Sequence, residues 1–195
     1  ALVAVALCAK GLSAKPTITA PLVFGLFSAL LALCGVAASA LNHVAGAGLI
    51  GTTFEEGTWL ALVFSAVLAT MGAVTYWGPK WWGRSLPPKA VLPLALLAFA
   101  GAALAALPLM VAGFADQPGG VFPAVERGSD AVVNFDYSGP MALWNLLSSV
   151  GHGMVLLAGL VFIAVAVRSV RAGERVVAVD DHLVDRSQPS GGVHH

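Results

Sequence analysis

Few side chains in this sequence could move a proton, hold a metal or bind an ion, and most of them sit in two short stretches. Asn145 is followed by Ser148, Ser149 and His152 at spacings of three, four and seven, so on a helix the four share one polar stripe. Polar groups within a membrane span face the bundle interior and can be functional. The first reading is an interhelical hydrogen-bonding seam, helped by Gly151 and Gly153 letting backbones approach. A substituted ligand or a proton-relay histidine is the sharper alternative. Glu55 and Glu56 form the second stretch and could act as a proton-loading or cation site at a membrane surface. However, Thr52-x-x-Glu55 and Thr53-x-x-Glu56 both fit the capping-box pattern, in which carboxylates satisfy free backbone donors at a helix start. Capping is therefore expected of both. His43, beside Asn42, reads as an interfacial polar residue.

The elements that must position these groups are transmembrane helices. Hydrophobic residues make up 58% of the chain and charged residues only 10%, with a mean hydropathy of +0.85, far from an ordinary soluble domain. Residues 16–54, 57–79, 90–115 and 137–167 carry no Asp, Glu, Lys or Arg, and a span needs only about 20 mostly apolar residues. The expected fold is an all-α polytopic membrane bundle with four spans, at roughly 20–45, 57–78, 90–114 and 141–167. Trp59, Trp77, Trp81 and Trp82 gather at the ends of the second span as an interfacial belt would, and Pro93 and Pro108 are expected to kink the third.

Lys10 and Lys15 precede the first span, Lys80, Arg84 and Lys89 separate the second from the third, and Arg168, Arg171 and Arg175 follow the fourth. Basic loops are retained on the cytoplasmic side, so both ends of the block, including the C-terminus, are expected to be cytoplasmic. Residues 1–15 read as the stump of a preceding helix and a basic loop, 16–172 as the four-helix block, and 173–195 as a polar, disordered tail. A signal peptide is the competing reading of residues 1–9, but the order of basic segment, apolar core and small-residue cleavage site is not found there. With no initiator Met, the chain is expected to be the C-terminal part of something longer. Cys8 and Cys34 fall in apolar segments as small hydrophobes, His194 and His195 in the tail, and no disulfide or metal motif emerges. A net charge of zero without a basic cluster argues against a nucleic-acid partner. The absence of charge within the spans argues against a transporter or channel.

Two motifs carry a family resemblance. Gly51-Thr52-Thr53-Phe54 with Trp77-Gly78-Pro79-Lys80-Trp81-Trp82-Gly83, and then Ala142-Leu143-Trp144-Asn145 with Ser148-Ser149-x-Gly151, resemble the tenth and twelfth helices of subunit I of the haem-copper terminal oxidases. The resemblance covers residues 20–172, the last four of the family's twelve helices, with the first motif's spacing agreeing to within one residue. It implies a respiratory protein of the bacterial plasma membrane, with haem and copper as cofactors and with other oxidase subunits and upstream helices as partners. One haem ligand and the copper ligands would then lie before Ala1.

The same resemblance exposes a departure. The family's His-x-His, one imidazole for each haem iron, would fall at about Thr58 and Leu60, and a shift of one residue brings no histidine into register. The paired arginines that hold haem propionates would fall at Gly119 and Gly120. No residue of this segment is therefore expected to be catalytic or to bind haem or metal. A non-catalytic scaffold or accessory subunit derived from the oxidase fold is the alternative expectation.

Overall fold

The computed structural model describes residues 18–44, 46–119 and 140–175. Gly120, Cys8, the 1–15 stump and the tail from 176 onward, with His194 and His195, lie outside the described residues. Four helices follow in order: α1 (Ala20–Asn42), α2 (Thr53–Trp82), α3 (Pro88–Phe114) and α4 (Met141–Ala172). All four are long and apolar enough to cross a membrane, so the expected all-helical four-span bundle is the fold. At about 1.5 Å per residue even the shortest, 23 residues, exceeds the hydrocarbon thickness.

Local chemistry sets the helix ends. Proline opens α3 at Pro88 and stands within the first two positions of α1, where its missing N–H is not needed. At the end of α2, Gly83 adopts the left-handed conformation, φ 67°, and donates its N–H to Pro79 O. The helix continues through Pro93 and Pro108, so neither proline ends the third span. The second and fourth helices outrun their expected ends, to Thr53–Trp82 and Met141–Ala172, because a helix does not stop where its apolar run stops.

Helix α3 is the central element: it packs against α2 and α4 and, to a smaller extent, α1, while α1 packs chiefly on α2. Its buried positions include Ala95, Ala98, Ala102, Ala105 and Ala106. Small side chains let neighbouring backbones approach where lipid gives no hydrophobic drive between helices. Gly101 of α3 and Gly151 of α4 mark the closest approach, with a β-carbon built on Gly101 standing 3.0 Å from Gly151 O. Gly153, by contrast, meets nothing within 4 Å, so only Gly151 plays the role expected of the pair. Toward one end the core holds Phe24, Leu68, Val91 and Phe162, with the Phe24 and Phe162 rings edge-on at 6.0 Å. Leu33, Leu156, Leu160 and Ile163 stay exposed on the outer faces, where lipid would cover them.

Backbone clamps tie distant loops together at both ends. At one end Thr53 N donates to Gln117 O (2.9 Å) and Gly119 N to Gly51 O (2.8 Å). At the other, Ser85 N donates to Glu174 O (2.9 Å), and the Arg84 guanidinium donates to Arg171 O (3.0 Å) and Gly173 O (3.3 Å). These last two bonds serve carbonyls at the α4 C-terminus that have no intrahelical donor. Arg84→Ala is expected to cost about 1–2 kcal/mol, measured as an earlier midpoint in a detergent unfolding titration; an unmoved midpoint would mean that water replaces the guanidinium without loss.

Candidate functional site

Just inside the first clamp, α2 and α4 diverge over the face of α3 and border an open cleft of about 630 Å³. Glu56, Trp59, Leu60 and Val63 form the α2 wall; Asn145, Ser148, Ser149 and His152 form the α4 wall. Leu109 and Thr53 lie between them, and Gln117 and Pro118 form the rim. The polar stripe read on α4 thus comes together on one surface. Deeper in the bundle, Phe64 meets the His152 ring edge-on at 5.5 Å.

Each polar group shows how far the interhelical seam extends. Ser148, 5% exposed, donates across to Ala105 O of α3 at 2.8 Å, and Asn145 Oδ1 accepts from Gln117 Nε2 at 3.1 Å. Ser149 donates instead to Asn145 O of its own helix (2.8 Å). His152 Nδ1 lies 2.8 Å from Ser148 O, and since a carbonyl only accepts, Nδ1 carries the proton. In the neutral ring that leaves Nε2 as a lone-pair acceptor. The seam therefore consists of Ser148 and Asn145, while Ser149 and His152 satisfy themselves on α4 and keep free lone pairs.

The two glutamates separate. Thr52 Oγ1 accepts from Phe54 N (3.2 Å) and the Glu55 carboxylate accepts from Gly51 N (3.1 Å), so the first expected cap forms in a shifted version. The second does not. Thr53 donates its hydroxyl to Leu109 O of α3 at 3.0 Å, and Glu56 turns to the cleft, its Oε1 3.4 Å from a β-carbon built on Gly119. Once Thr52 holds the cap position, Glu56 lies a residue too far along to reach the helix start.

Gln117 was not singled out by the sequence, where it is one polar residue among several in a loop. It is 5% exposed, and its Oε1 finds no donor among the described residues. The nearest signal is its place two residues after the long apolar run of α3, at the level where a helix emerges from the membrane. His43 stays exposed and bonds Ser39 O at 2.8 Å, while its N–H closes the end of α1.

The positions singled out by the family resemblance fall differently. Thr58 is 4% exposed and donates to Phe54 O of its own helix at 2.8 Å; Leu60 borders the cleft. A β-carbon on Gly119 would stand 2.7 Å from Thr52 O, so the backbone fills the space through which an arginine side chain would leave. Among the described residues no group of three or more His, Cys, Asp or Glu could hold a metal. His152 is the cleft's one imidazole. These residues do not fit the haem site that the resemblance implies.

No protein-family model matches the chain, and no curated protein matches its sequence.

Proposed function

We propose that this chain forms the last four helices of a haem-copper oxidase subunit I-like respiratory membrane protein, and that this segment ligates neither haem itself. The reading rests on one sorting of residues. Those that match the family hold helices together: Ser148 on Ala105, Asn145 on Gln117, Gly151 against Gly101. Those that depart from it, Thr58, Leu60 and Gly119, are where the family's haem contacts would be. Substitution at random would strike both groups alike. The same reading places the protein in a bacterial plasma membrane with Lys80, Arg84, Lys89 and the C-terminal arginines on the cytoplasmic side. The cofactor chemistry, terminal electron transfer to oxygen coupled to proton movement, would belong to upstream helices and partner subunits. A scaffold or accessory subunit without redox cofactors is the second reading, favoured by the lack of any paired imidazoles in the cleft.

A dithionite-reduced minus air-oxidised spectrum of the protein purified from its native membrane separates the two. Stoichiometric haem that shifts with carbon monoxide is expected for an oxidase ligated from elsewhere, and its bands should be unchanged in His152→Ala. Loss of a haem band in that variant would overturn the non-ligating assignment of this segment. A folded preparation free of haem would leave the scaffold reading.

A further inference from the structure

We propose that the recess between the start of α3 and the end of α4 holds the headgroup of an anionic, hydroxyl-bearing phospholipid of the phosphatidylglycerol class, with an acyl chain along the outer groove between the same two helices.

Charge at this end is one-sided. All six lysines and arginines among the described residues, Lys80, Arg84, Lys89, Arg168, Arg171 and Arg175, lie where α2 and α4 end and α3 begins, with Glu174 as the one carboxylate described there. Two of the six are occupied within the fold. The Arg84 guanidinium serves Arg171 O and Gly173 O, and Lys80 Nζ lies 3.7 and 4.4 Å from the Tyr76 and Trp77 ring centres. The side chains of Lys89 and Arg168 have no hydrogen bond, ion pair or ring contact among the described residues. Both border one recess of about 500 Å³, with Ser85, Ser169 and Glu174 beside them. The Ser169 hydroxyl is committed to Ser85 O at 2.9 Å. Two cations brought by two helices to one opening suit a phosphate, whose oxygens accept from both. Two cations against one carboxylate leave the recess net positive, and Glu174 accepts from headgroup hydroxyls. A glycerol headgroup therefore matches better than choline, which has no donor.

Depth selects a lipid over a soluble phosphoester. Lys89 stands roughly 18 Å from the middle of α3 and Arg168 roughly 17 Å from the middle of α4. Both lie just past the half-thickness of bilayer hydrocarbon, about 15 Å, at the level of lipid phosphates. From there the groove is apolar on both walls. Pro93, Leu96, Ala100 and Ala103 follow Lys89 at spacings of four and three, and Val161, Met154 and Leu147 recur at sevens from Arg168, so each set keeps to one helix face. Leu96 is 58% exposed, and Ala100, Ala103 and Leu147 line an apolar pocket of about 420 Å³. Ala100 lies roughly 17 Å along α3 from Lys89, the depth that one leaflet's chain covers. An acyl chain anchored at the two cations thus ends among the small side chains that open this pocket.

Protein purified from its native membrane, with whatever subunits accompany it, is stripped of lipid by detergent exchange and its bound lipid counted by native mass spectrometry. The probes are dioleoylphosphatidylglycerol, dioleoylphosphatidylcholine and water-soluble glycerophosphoglycerol. The first phosphatidylglycerol is expected to bind at least about tenfold more tightly than phosphatidylcholine, and glycerophosphoglycerol at equal concentration to leave it in place. Lys89→Gln with Arg168→Gln should weaken that site about tenfold or more, each cation contributing about fivefold. Arg171→Gln with Arg175→Gln removes two cations outside the recess and should leave the site within about twofold. Lys89→Arg with Arg168→Lys keeps both charges and should keep the site, which separates lost charge from lost fold. Equal affinity for the two lipids overturns the proposal, as does displacement by glycerophosphoglycerol, which would make the recess a site for soluble phosphoesters. Equal losses in the two neutralised pairs also overturn it, since the attraction would then belong to the whole end of the bundle. So does an unchanged site in Lys89→Gln with Arg168→Gln, or a loss in the exchanged pair as large as in that variant.

Discussion

Replacing Gly151 with Leu is expected to cost about 3 kcal/mol or more. The physical reason is that both surfaces at this contact are backbone. A β-carbon on Gly151 would meet Gly101 O at 2.6 Å and Leu104 C at 2.7 Å, and neither can rotate away as a side chain would. Helix α4 would have to withdraw from α3, which carries Ser148 off Ala105 O and strains the Gln117–Asn145 bond. Two interhelical hydrogen bonds would therefore weaken together with the packing. The midpoint of a detergent unfolding titration should fall sharply, and Gly153→Leu, where a side chain meets open space, should leave it nearly unchanged. Similar losses at both positions would show that bulk added anywhere on α4, rather than close approach to α3, governs the effect.

Gly119→Arg, which places there the residue that the oxidase resemblance implies, is expected to destabilise rather than to rescue. Its β-carbon would stand 2.7 Å from Thr52 O and 3.0 Å from Thr52 C, opening a clamp that holds Thr53 N on Gln117 O and Gly119 N on Gly51 O. Loss of that pairing and the local displacement should cost about 2–3 kcal/mol. Gly119→Ala isolates the steric part, since alanine adds the β-carbon alone. The arginine has one compensation, the Glu56 carboxylate lying beside the position, so it should be less damaging than its size suggests and close to alanine in effect. Unfolding midpoints of the two variants check this. A Gly119→Ala protein as stable as the wild type would mean that the clamp yields without cost.

How much of this could be read from the residues alone depends on which force set each feature. Apolar runs and the positions of Lys and Arg mark spans, because the bilayer acts on each helix separately; hence Pro88–Phe114 lies within two residues of its expected bounds. The polar stripe on α4 was legible for the same reason, since Asn145, Ser148, Ser149 and His152 are brought together by one helix's periodicity. Gln117 and Glu56 were not. Gln117 reaches the site only because the loop after α3 is bonded back onto Gly51 and Thr53, a pairing across more than sixty positions that no local pattern records. Glu56 was read as a cap because its spacing from Thr53 suits one, and the competition was decided by Leu109 O taking the Thr53 hydroxyl. The direction in which Ser149 and His152 spend their protons is likewise invisible in a residue pattern, since either could have bonded across rather than backward.

The order of neighbours in the bundle bears on how the chain reaches it. Each helix makes its most extensive packing with the one before or after it, α1 with α2, α2 with α3, α3 with α4. Each of α2, α3 and α4 would therefore find, on entering the bilayer, a docking partner already inserted, after short connections before α2 and α3 and a longer one, residues 115–140, before α4. Helix α4, arriving after the other three onto the alanine face of α3, would be the step that converts a three-helix intermediate with a bare flank into a block in which both walls of the cleft are present. Docking of α4 and completion of the cleft would then be a single event.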